Sequence, residues 1–212
     1  MNHNVPLFPL QSVLFPGGYL PLQIFEVRYL DMISRCHKLG EPFGVVSLIE
    51  GAEVRQRDAN QPGEGFANER FQPVGTLAEI QHLERPQPGL LQIRCRGTQR
   101  FRLASFERLP HGLWMGHIEL IEPDAAVTVP PDLMAPATLL QGLLHKLEQG
   151  AAIEDLPLQP PYHWTDSGWL ANRWCELLPL TAAERQRLMQ LDNPLLRLEL
   201  VADQLDRLDL KS

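Results

Sequence analysis

Cysteine is scarce: Cys36, Cys95 and Cys175 are the only three in 212 residues, an odd number at wide spacing. That excludes a disulfide framework and a CxxC metal knuckle, and it points to a reducing compartment. Long apolar runs are missing as well, and the start, Met1-Asn2-His3-Asn4-Val5-Pro6, has no basic region followed by an apolar one. A cytoplasmic protein without a membrane anchor is expected. Positive charge is in deficit, with 19 Lys and Arg against 26 Asp and Glu and a formal net charge of −7, so the overall field opposes a nonspecific grip on nucleic acid. No GxxxxGK[ST] loop, no GxGxxG after a strand, no GxSxG and no HExxH occurs, and no Cys or His pair stands at zinc spacing. No catalytic, cofactor-binding or metal-binding residue is assigned.

What the chain does contain is ordinary globular material, 44% hydrophobic and 21% charged, with proline (19) unusually outnumbering glycine (15). Each proline removes a backbone donor, so short, punctuated elements are expected. The texture changes near Glu122-Pro123-Asp124, which predicts two subdomains, 1–122 and 123–212. Before the join, short apolar runs bounded by Gly and Pro predict strands at Val5 to Leu10, Tyr19 to Ile24, Phe43 to Ile49, Val74 to His82, Leu90 to Arg96, Arg100 to Phe106 and Trp114 to Ile121. One helix interrupts them, from Glu26 to Lys38, with Tyr29, Leu30, Ile33 and Cys36 on one face and Gly40 as its cap. After the join, four helices are expected. They carry the Leu139 to Leu147 repeat, a cap at Asp166 or Ser167, a capping box at Thr181 to Glu184, and an Asn193-Pro194 start. Strands followed by helices make the fold class α+β. The polar stretch from Ala52 to Pro73, centred on 56–68, is long for a connection and predicts a mobile excursion or a functional arm.

Several features invite a functional reading. Arg94, Arg96, Arg100 and Arg102 predict a hairpin with a basic face, turning at Gly97, that contacts phosphates or an acidic segment or simply pairs with surface acids such as Glu79 and Glu107. The segment from Phe15 to Glu26, with Phe15 and Leu20, is more apolar than one half-buried strand requires, and any exposed part of it is an interaction patch. Cys36 and His37 are adjacent on a helix and point about 100° apart, so they cannot work as nucleophile and base.

Motifs in order along the chain carry a resemblance. They are Val5-Pro6-Leu7-Phe8-Pro9-Leu10, Leu20-Pro21-Leu22-Gln23-Ile24-Phe25-Glu26-Val27-Arg28-Tyr29, Phe43-Gly44-Val45-Val46, Val74-Gly75-Thr76-Leu77-Ala78-Glu79-Ile80, Gly97-Thr98-Gln99-Arg100-Phe101 and Glu176-Leu177-Leu178-Pro179-Leu180. Together they resemble the Lon protease N-terminal domain family. The resemblance implies a PUA-like twisted β pseudobarrel with one inserted helix, followed by a C-terminal helical bundle. It also implies a substrate-recognition role without the ATPase and serine-lysine peptidase modules. Within it, Phe25 and Tyr29 are expected to anchor the helix to the barrel, and Glu26 to pair with Arg100 or Arg102. The 56–68 stretch and the turn Pro88-Gly89-Leu90 depart from the family pattern.

The expected function is therefore non-enzymatic recognition of protein clients, or of a partner protease or adaptor, with no cofactor and no membrane. The expected surface includes Phe15, Leu20, Arg94, Arg96, Trp114 and Trp169, with a cleft between barrel and helices as its place. The alternative is RNA binding through Arg94 to Arg102, disfavoured by the net charge, and the third reading is an autonomous hydrolase.

Overall fold

Residues 3–50, 69–150 and 156–208 are described by the structure, a computed structural model. The expected excursion at 56–68 lies outside the described residues. The chain divides into two units, Met1–Glu122 and Pro123–Ser212, each described by itself.

The first unit holds strands β1 (His3–Leu10), β2 (Tyr19–Ile24), β3 (Phe43–Glu50), β4 (Arg70–Gln87), β5 (Leu90–Arg108) and β6 (Trp114–Leu120), with helix α1 (Val27–Leu39) between β2 and β3. The sheet order is β2-β5-β4-β3-β1-β6, and a further β5–β6 pairing closes it on itself. Only the β1–β3 pair among these is parallel. β2 hangs on the outside of β5, an edge position that suits Pro21 because an edge strand does not need every ladder donor.

Two strands expected from the sequence are one. Leu90 to Arg96 and Arg100 to Phe106 are halves of β5, and Gly97 is a strand residue rather than a turn. Alternation holds from Leu91 to Gly97 and slips at Thr98 and Gln99, so that Arg100 and Phe101 are both buried. The ladder to β4 shifts register at the same place, between Thr76 and Ala78. Such an irregularity bends a strand around a closing barrel and moves side chains to the other face.

α1 is flanked by Glu26 at its N-cap and by Gly40 at its C-cap, whose φ of 66° is the left-handed conformation that glycine adopts without strain. Its inner face packs Tyr29, Met32, Ile33 and Cys36 against Phe8, Phe43, Ile93 and Cys95. Tyr29 stacks on Phe8 with ring centroids 4.1 Å apart. A second core cluster, Val5, Leu7, Val46, Phe101 and Ile118, fills the other part of the barrel.

The second unit holds a 3-10 turn (Pro131–Leu133) and helices α2 (Ala135–Glu148), α3 (Ser167–Leu177), α4 (Ala182–Met189) and α5 (Pro194–Arg207). Its caps are the ones the sequence signals. Asp166 Oδ1 accepts from the Trp169 backbone N–H at 2.6 Å. Thr181 and Glu184 form a reciprocal capping box, and Asn193 Oδ1 accepts from Leu195 and Leu196. α3 is buried nearly throughout and packs chiefly on α5. Trp174 is buried there and donates Nε1–H to the Pro136 carbonyl at 3.0 Å.

Arg197 on α5 is 1% exposed. Its guanidinium donates to Asp124 (2.6 and 3.3 Å), to Asn172 Oδ1 (2.9 Å), and to the Leu188 and Leu191 carbonyls. One buried cation thus ties α3, the end of α4 and the segment after Pro123 to α5. No helix among the described residues is long and apolar enough to cross a membrane.

Candidate functional site

An aromatic face forms where the start of β4, the end of β5 and the start of β6 meet. Phe71 and Phe106 have ring centroids 5.0 Å apart, Phe71 and Trp114 5.5 Å, and Phe106 and Trp114 5.7 Å, in tilted and edge-on arrangements that suit aromatic quadrupoles. Gly116 stands opposite Phe106 in the ladder. Phe71 and Trp114 are half-buried, whereas Phe106 is 54% exposed.

The face is fixed from below by charge. Trp114 donates Nε1–H to Glu69 Oε2, and Glu69 Oε1 accepts from Arg28 Nη2 at 3.1 Å. Arg28, on α1, also donates to Glu26 (3.1 Å) and to the Gly112 carbonyl (2.8 Å) in the β5–β6 turn. A buried guanidinium with all these partners is satisfied, and it holds α1, Glu69 and the turn in one geometry. The Arg108 guanidinium lies 5.6 Å from the Trp114 ring centroid, within cation–π range.

The residues singled out in the sequence do not gather at this face. Trp114 belongs to it. Phe15 is fully buried and offers no interaction surface, and its backbone oxygen lies close against β5 at Gly97. Leu20 is half-buried opposite Cys95. Arg94 and Arg96 are half-buried, with Arg96 opposite Glu79, and Arg100 is 4% exposed opposite Thr76. Only Arg102 of the four is exposed, and because β5 runs through Gly97 without a turn the expected basic hairpin does not form.

Phe25 does not anchor α1. It is 53% exposed, and Tyr29 does the anchoring with Met32 and Ile33. Glu26 makes an ion pair with Arg28, two residues on. Trp169 lies in the second unit, half-buried beside Trp164 (5.2 Å), His163 (6.1 Å) and Tyr162 (6.3 Å). Glu69, Phe71, Phe106 and the buried Arg28 were missed. Phe71 and Phe106 left a signal, each a large apolar residue in a polar stretch.

Nothing near the face is set up for nucleophilic chemistry by a thiol. Burial pushes the Cys36 thiol up to about 11 and those of Cys95 and Cys175 up to about 12, so all three stay protonated at neutral pH. Iodoacetamide at pH 8 is expected to leave the folded protein unlabelled and to modify all three cysteines in guanidinium, as read by intact mass. Rapid labelling of the folded chain would contradict this burial. Among the described residues no group of three or more His, Cys, Asp or Glu is placed to hold a metal ion.

Comparison with known proteins gives this arrangement a family. The model of the ATP-dependent protease La (LON) substrate-binding domain matches residues 4–207. The crystal structure of a Lon N-terminal domain protein from Xanthomonas campestris is similar over 95% of this chain and 98% of its own, with a TM-score of 0.72 and 30% identity. The N-terminal domain of a Mycobacterium avium complex Lon protease shares the fold, with a TM-score of 0.63 at 18% identity over 95% and 97% of the two chains. Among curated proteins, cereblon of Gallus gallus is 23% identical over 76% of this chain, and a Lon protease of Desulfosudis oleivorans is 26% identical over 50%. The chain spans 31% of the first and 12% of the second. By a match running nearly end to end, the chain belongs to the Lon substrate-binding domain family.

Proposed function

We propose that this chain is a non-catalytic recognition module that binds exposed apolar segments of client proteins, as an adaptor in protein quality control. The observation that carries the reading is the exposed Phe106 set between Phe71 and Trp114. A rigid aromatic face open to water is the kind of surface that dominates binding energy once a partner covers it. Its support is buttressed by Arg28 and Glu69, so the rings are held in place before a partner arrives, which lowers the entropic cost of binding. Membership of a substrate-binding family supports the same reading. The free, buried cysteines fit a reducing, cytoplasmic setting. The RNA reading loses its main support with the basic hairpin.

The test uses purified protein and unfolded casein. The chain is expected to be retained on immobilised casein and to leave casein intact over hours, with or without ATP. Cleavage that survives further purification would overturn the non-catalytic reading. Absence of retention, combined with salt-dependent retention of structured RNA, would favour the alternative.

A further inference from the structure

A second concavity lies in the β unit, apart from the rings of the aromatic face, where β1, α1 and the β5–β6 turn meet around a groove of about 400 Å³. That volume is within the roughly 300–1,000 Å³ of ordinary ligand sites. Met32, Cys36, Leu113 and Met115 make its apolar floor. Methionine and cysteine are soft and adaptable, which suits a floor meant for varied side chains.

The rim is charged, and the charges do not cancel. Arg28 reaches the groove, but its positive charge is met by Glu26 and Glu69, and each of its three guanidinium nitrogens already donates to a partner. What remains is Asp31, Glu41 and Glu107 against Arg35, three carboxylates to one guanidinium, with His111 counted neutral. All four of these charged residues are exposed, and none makes an ion pair among the described residues. The field reaches the floor: after burial itself, Glu41 is the larger influence raising the Cys36 thiol, ahead of the opposing Arg35.

We infer that this groove takes an apolar side chain of a client segment that carries Lys or Arg beside it. The inference rests on the recognition reading above and gives it a sequence preference. The floor removes the apolar side chain from water, and the flanking cation meets the unbalanced carboxylates of the rim.

Fluorescence anisotropy with the full chain tests it. Two peptides share a central Phe-Leu and differ only in flanking Lys or flanking Glu, and unfolded casein serves as a separate ligand. The Lys-flanked peptide is expected to bind roughly tenfold tighter at low salt, since each exposed charge pair contributes little but several act together. The margin is expected to shrink at 0.5 M salt, where the Debye length is only a few ångströms. The Asp31→Asn, Glu41→Gln, Glu107→Gln variant is expected to lose the preference while keeping the circular dichroism of the parent.

Equal affinity for the two peptides overturns the groove proposal, and so does a preference that survives the triple substitution. Equal affinity is also what a groove built for a small apolar molecule would give. Casein binding without binding of either peptide likewise overturns the groove and leaves the recognition reading standing. Failure to bind casein and both peptides overturns the recognition reading itself.

Discussion

Arg197→Ala is expected to lower the stability of the helical unit by about 3–5 kcal/mol, the range for removing one partner of a buried, hydrogen-bonded ion pair. The guanidinium is 1% exposed and donates to a carboxylate, a side-chain amide and two helix-end carbonyls. Its loss takes the guanidinium donors away from those acceptors and opens a cavity in the middle of α3, α4 and α5, two costs that act in the same direction. Urea unfolding followed by tryptophan fluorescence should show a lower midpoint, with Trp174 reporting from the same core. Arg197→Lys should recover little of the loss, because an ammonium offers a point charge where the site is built for a planar fork. A shift below about 1 kcal/mol for the alanine variant would mean that the buried network is not what joins these helices.

Gly97→Ala is expected to cost about 3 kcal/mol, at or above the upper end of ordinary overpacking. A Cβ at Gly97 would stand 2.3 Å from the Phe15 carbonyl oxygen and 3.0 Å from Leu14 Cγ. The obstacle at 2.3 Å is backbone, which cannot swing aside as a side chain does. It is also pinned, since Gly17 N–H donates to the Gly97 carbonyl, Gly97 N–H donates to the Gly18 carbonyl, and Thr76 Oγ1 donates to the Leu14 carbonyl at 2.6 Å. The comparison variant is Gly142→Ala in α2, where nothing lies within 4 Å of the new Cβ. That change should stabilise by about 0.5–1 kcal/mol through helix propensity. Opposite signs for the two alanines, measured in one denaturation series, would separate close approach from conformational freedom as the reason for Gly97.

The same glycine shows where the sequence was readable and where it was not. Gly97 stands between two apolar-alternating runs and looks locally like a turn, but the need for glycine comes from Phe15, 82 residues earlier in the chain. Helix ends were legible because caps are local: Asp166, Thr181 with Glu184, Asn193 and Gly40 each act on backbone within a few residues. Strand positions were legible from alternation, except across the slip in β5 that merged two segments into one. The family resemblance carried the order of strands and helices, which agrees with the α+β architecture found.

The candidate site was poorly legible for a physical reason. Arg28 reads as a surface arginine until Glu69 and Gly112, 41 and 84 residues away, come to it. Arg197 is likewise buried by Asp124, 73 residues away. Phe25 and Phe15 exchange their expected roles because the apolar run through them says only that burial is available, and topology decides which ring receives it. Phe15 ends 0% exposed and Phe25 53%.

The most direct test of recognition is the affinity of the chain for one small disulfide protein in two forms, native and permanently unfolded by reduction and alkylation. Binding to the unfolded form alone is expected, weakened about tenfold by Phe106→Ser, the loss expected for one aromatic hot spot. Phe106 is exposed enough for that substitution to leave the fold intact. Equal affinity for the native and unfolded forms, or full affinity in the Phe106→Ser protein, would contradict it.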